Sequence, residues 1–107
     1  MAYTTQIAWE TLRSIDSATL TGSYQAVGTP LQQASYILKL VNNSTSLVTI
    51  SIDGTNDIDV APANSFWLYD EYKDICREGM PQGTQIFVKG SAGVGLIYLV
   101  SQYLVKS

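Results

Sequence analysis

The stretch Val41 to Gly54, VNNSTSLVTISIDG, limits the fold more than any other part of the chain. In its second half Val48, Ile50 and Ile52 alternate with Thr49 and Ser51. That period of two sends one row of side chains into a core and the other toward water. Asp53-Gly54 closes the strand, because glycine accepts the positive φ that a tight hairpin turn demands. The residues before it, Asn42 to Ser46, read as the turn of an antiparallel pair whose first strand is Ala34 to Val41.

The same punctuation recurs along the chain. Residues 1–16 read as an extended N-terminal arm or edge strand with Trp9 and Leu12 as anchors, the alternative being a short helix capped by Thr4 and Thr5 with Ile7, Ala8, Leu12 and Ile15 at helical spacing, and residues 17–107 read as a β-sandwich domain. Ser17 to Ala26 reads as a strand interrupted at Gly22, and Gly28-Thr29-Pro30 as a loop, since proline cannot donate to a ladder. Asp57 to Val60, Ser65 to Asp70 and Thr84 to Lys89 read as further strands. Glu71 to Gly83 reads as a long charged excursion with one helical turn around Tyr72 to Arg77.

The last strand, Val94 to Val105, is apolar on both parities. Leu96, Tyr98, Val100 and Leu104 fall on one face, and Ile97, Leu99, Tyr103 and Val105 on the other. Such a strand needs cover on both sides, from the N-terminal arm or from another subunit. The sum is an all-β fold, an antiparallel β-sandwich or jelly roll of seven to eight short strands.

Composition narrows the function classes. A chain of 107 residues is one domain by size. Charged residues make up only 14% and the net charge is −3, with the six Lys and Arg scattered, so a phosphate-neutralising stripe is not expected and nucleic acid is not an expected partner. The longest apolar run is short for a membrane span, and the N-terminus lacks the pattern of a secretory signal, so neither membrane nor secretion is expected.

The chain contains no histidine, which removes His-based triads and common zinc sites. The oxygen donors of Asp53, Asn56, Asp57 and Asp59 fit turn chemistry better than a calcium loop. Asp70, Glu71, Asp74 and Glu78 fit a charge-compensated surface loop better than a glycosidase pair. With no histidine and no obvious helix N-terminus to activate it, Cys76 reads as a buried or inert thiol, and GSAGVG at Gly90 to Gly95 lacks the Lys and Ser/Thr of a phosphate loop. The expectation is a protein that is not an enzyme and has no cofactor or metal.

WETLRSI at Trp9 to Ile15, GSYQAVGTPL at Gly22 to Leu31, VNNST at Val41 to Thr45, ISIDGTND at Ile50 to Asp57, APANSFWLYD, and GTQIFVKGSAGVGLIYL through Leu99 together resemble small β-sandwich virion proteins of tailed bacteriophages. The resemblance implies a structural component of the virion, at the capsid surface, the head-to-tail connection or the tail, made in the host cytoplasm. Its partners would be copies of itself and a capsid, portal or tail protein. Trp9, Leu12, Ile15, Tyr72, Ile97, Leu99 and Tyr103 are the expected interface residues, because buried aromatic and aliphatic side chains dominate interface energy. The competing reading is a carbohydrate-binding module, separated from assembly by whether Trp67 and Tyr69 point inward or form an exposed row.

Overall fold

Alternating strands assemble here into two antiparallel sheets packed face to face, as a computed structural model describing residues 5–70 and 80–106 shows. One sheet is formed by β1 (Thr5–Trp9), β2 (Arg13–Asp16), β4 (Ile37–Ser44), β7 (Ser65–Asp70) and β9 (Gly95–Lys106). The other is formed by β3 (Gln25–Ala26), β5 (Val48–Ser51), β6 (Asp59–Ala61) and β8 (Phe87–Gly90), in the order β3-β8-β5-β6. No α-helix occurs among the described residues.

In the five-stranded sheet β9 and β4 are central. β7 flanks β4, while β1 and β2 lie end to end along the far side of β9. Trp9 stands opposite Gln102 and Arg13 opposite Leu99, so Glu10, Thr11 and Leu12 face only Val100 and Ser101. One extra residue in the edge strand is a β-bulge, and it turns Glu10 and Arg13 toward the loop at Thr29 to Gln33. The described part of residues 1–16 is thus edge strand within the sheet and does not lie across its face.

The core lies between the sheets. Leu38, Leu40, Ile97 and Leu99 from one side meet Val48, Ile50 and Val88 from the other, all at 1% exposure or less. Trp67, Val27, Leu31, Ile86, Leu20, Ala61 and Met80 complete it. Burying each of the large side chains contributes about 1.5–3 kcal/mol.

Several expected boundaries move for identifiable reasons. Asn42 to Ser44 is strand, not turn, and β4 and β5 belong to opposite sheets, so they are not a hairpin. Asn42 and Ser44 are buried because their polar groups find partners there: Asn42 Nδ2 donates to the carbonyls of Ser46, Ala61 and Pro62 at 2.7, 2.9 and 3.1 Å, and the Ser44 hydroxyl donates to Asn42 Oδ1. Most of Ser17 to Ala26 is not strand. Asp16 caps a 3-10 turn at Ser17–Thr19 by accepting from Ala18 N, and only Gln25–Ala26 joins a ladder. Gly54 has the expected positive φ of 78°, but Ile50 pairs with Asp59, so the connection is a wider loop than a two-residue hairpin turn.

Candidate functional site

The registers sort the five-stranded sheet into an inward and an outward set. Leu38, Leu40 and Asn42 point inward beside Tyr69, Trp67 and Ser65, whereas Lys39 and Val41 point outward beside Leu68 and Phe66. The same parity continues onto β9, where Val41 is opposite Tyr98 and Lys39 opposite Val100. The outer face therefore carries a row Phe66, Val41, Tyr98 and a parallel row Leu68, Lys39, Val100. Leu96 and Trp9 extend it toward either end of β9.

This face is open to solvent. Phe66 is 57% exposed, Leu68 49% and Trp9 61%. Strands sit about 4.8 Å apart, so each three-strand row is about 10 Å wide, and the rows lie side by side as one apolar surface. Surfaces of this kind on soluble domains mark contact sites. Lys39 sits in the middle of it and makes no ion pair with a described residue. At one end Phe66, Val41 and Tyr98 line a hollow of about 500 Å³ whose rim carries Asn43, Asn64 and Lys39.

Behind the bulge, Arg13 is a buried clamp. Its Nε donates to the Thr29 carbonyl at 2.7 Å, one terminal nitrogen to Ser101 Oγ at 3.2 Å, and the other to Pro30 O and Glu10 Oε1 at 3.0 and 2.7 Å. Glu10 also accepts from the backbone N–H groups of Gln32 and Gln33. Burial alone raises the Glu10 carboxyl, but these donors outweigh it and hold the group below its ordinary value. The pair fixes the edge strand to the loop; its charges are consumed internally.

On the other sheet Lys89 lies 4.6 Å above the Tyr24 ring and 3.1 Å from Asp57, which accepts the Tyr24 hydroxyl. Asp53 is filled by its own turn. It accepts from the N–H groups of Thr55 and Asn56 and from the side chains of Asn56 and Ser51, with its carboxyl held well below the usual range by the Asn56 backbone first. No group of three metal-ligating side chains occurs among the described residues. No described helix is long and apolar enough to cross a membrane.

The expected interface residues are placed as follows. Trp9 and Leu12 are exposed at the bulge. Ile15 is half-buried against the core, and Tyr103 is half-buried on the inward row. Ile97 and Leu99 are corrected: they are core residues at 0% and 1% exposure and present no surface, because the four-stranded sheet covers their side of β9. Tyr72, Cys76 and the carboxylates Glu71, Asp74 and Glu78 lie outside the described residues. Trp67 and Tyr69 point inward and form no exposed platform. Phe66 and Leu68 on the outer face are not among the residues the sequence picks out, whereas Tyr98 is one of its candidate platform aromatics; the signal for all three is that SFWLYD and the last strand are apolar on both parities.

No protein-family model matches the chain, and neither does any curated protein or solved structure. What the structure defines is an all-β sandwich of two antiparallel sheets, with apolar side chains exposed on the outer face of the five-stranded sheet.

Proposed function

We propose that the chain is a non-enzymatic structural subunit of a tailed-bacteriophage virion. It acts as an assembly or decoration protein through protein–protein contacts with copies of itself and with a capsid, portal or tail protein. The observation that carries this is the outer face of the five-stranded sheet, where Phe66, Leu68, Leu96 and Trp9 stay more than a third exposed around half-buried Val41 and Tyr98. Because β1 and β2 lie in the plane of the sheet, the chain's described N-terminal residues do not cover that face. Covering it with a partner would return about 1.5–3 kcal/mol for each large apolar side chain fully buried. The sequence resemblance supplies the virion as the setting.

The test is incorporation. Tagged wild-type protein and a Phe66→Glu/Leu96→Glu variant are supplied in infected cells, and the purified particles are assayed by mass spectrometry. Wild type should co-purify at fixed stoichiometry, and the variant should fold yet be absent. Equal incorporation of both, or absence of wild type from particles, overturns the reading.

A second reading draws on one observation. The hollow between Phe66 and Tyr98, with the Asn43 and Asn64 amides and Lys39 on its rim, offers ring faces and polar groups to a sugar. Binding on a glycan array that Tyr98→Ala abolishes would favour it.

A further inference from the structure

We propose that the outer edge of β7 is a self-pairing strand, joining two copies antiparallel about a two-fold axis at Trp67. This inference rests on the assembly reading and names one partner of its surface, a second copy of the chain.

Edge strands present unladdered N–H and C=O groups, and proteins blunt them with proline, lysine, bulges or short length. Of the four sheet edges formed by the described residues, three are blunted. The β1/β2 edge is broken by the bulge at Glu10 to Leu12, and the edges of the other sheet, β3 and β6, are two and three residues long. Within its described residues β7 has none of these devices. It is six residues long, contains no proline or lysine, and pairs with β4 in one unbroken register. Over Phe66 to Leu68 its only ladder among the described residues is with β4.

Side-chain parity then selects the register. Phe66 and Leu68 point outward, while Ser65 and Trp67 point inward. Self-pairing must keep outward residues opposite outward ones, which rules out any dyad falling between two residues. A dyad on Trp67 sets Phe66 opposite Leu68 of the second copy, twice, as an aromatic–aliphatic cross-strand pair. A dyad on Leu68 would instead set Phe66 against the Asp70 carboxylate, and a dyad on Phe66 would run the ladder into Asn64, whose φ of 56° ends the strand. The Trp67 dyad alone pairs apolar with apolar and opposes no like charges. It joins the two five-stranded sheets into one and makes the two apolar outer faces continuous. Such isologous two-fold contacts are the commonest form of self-association.

The register is read by disulfide trapping in the full chain carrying Cys76→Ser. Directly opposed residues in an antiparallel pair come within reach of a disulfide, and diagonal ones at about 7–8 Å do not. Phe66→Cys/Leu68→Cys should cross-link to a covalent dimer on mild oxidation, and neither single variant should. Without oxidant, sedimentation of the Cys76→Ser protein should give a doubled mass that Leu68→Lys returns to that of one chain. A monomer at every concentration, a Leu68→Lys dimer, or single variants that cross-link as fast as the double variant overturns the proposal. Monomer that still enters particles would sink the self-pairing and leave the assembly reading standing; a trapped dimer never found in particles would do the reverse.

Discussion

Asn42 in the five-stranded sheet donates to the carbonyl of Ala61 in the four-stranded sheet at 2.9 Å, and this bond ties the two layers where the chain crosses between them. The same amide nitrogen serves Ser46 O and Pro62 O, while its oxygen accepts the Ser44 hydroxyl. Replacing Asn42 by Ala strands several carbonyls in a buried site, each at about 1–3 kcal/mol. The expected loss is about 3 kcal/mol, seen as a fall in Tm of about 10–20 °C. Asn42→Asp should be worse at neutral pH, because it faces carboxylate oxygens toward carbonyls. It should recover partly as acid protonates it, which thermal melts across pH would register.

The clamp at the bulge predicts an acid limb of stability. The Glu10 side chain is almost wholly buried against Arg13, and its carboxyl is held below the ordinary value of 4.5. A depressed folded-state pKa contributes stability that is present above about pH 4.5 and is lost as pH falls through the depressed value. Glu10→Gln should therefore be less stable than wild type at pH 7 and should show a flatter melting-temperature profile below pH 4.5. Arg13→Ala should cost about 3 kcal/mol by leaving Glu10 buried without its cation. Arg13→Lys should rescue little, since one ammonium cannot reach the acceptors that the guanidinium fork spans.

Much of the architecture is legible in local alternation, and the rest is not local. Ser65 to Asp70 is a strand as expected, and the two parities of β9 separate as the sequence divides them. Which parity faces the core is not written in β9, since both are apolar; the packing of β5 and β8 decides it, and so Ile97 and Leu99 are core while Leu96 and Tyr98 are surface. Asn42 to Ser46 looks like a turn because its residues are polar. It is strand and corner with Asn42, Ser44 and Ser46 buried, because the Asn42 amide finds carbonyl partners at Ala61 and Pro62. The apolar outer face is half legible for the same reason: a doubly apolar strand announces a second surface without naming it.

Tyr24 offers a spectroscopic check on the opposite sheet. Desolvation and the hydrogen bond to Asp57 push its phenol up to about 12. In a titration followed by tyrosinate absorbance, one tyrosine should ionise late, and Asp57→Asn should bring it toward its ordinary value of 10. The sign follows from charge, since the carboxylate beside the phenol opposes a second negative group. An unchanged profile in the variant would place the cause elsewhere.

Gly95 begins β9 at a φ of 112°, and a Cβ built there would stand 2.1 Å from the Asn43 carbonyl oxygen on β4. Both constraints act through backbone, so no side chain can move aside to relieve them. The left-handed conformation costs a substituted residue about 1–3 kcal/mol and the overpacking costs a similar amount. Gly95→Ala should thus lose more than about 3 kcal/mol and shift the denaturant midpoint sharply downward. Gly22 is the internal control, because a Cβ there meets nothing within 4 Å. Gly22→Ala should leave the unfolding free energy within about 0.5 kcal/mol of wild type and the midpoint nearly unmoved, as surface substitutions away from special geometry do. Equal midpoints for the two variants would mean that β9 does not enter its ladder through the close approach to Asn43.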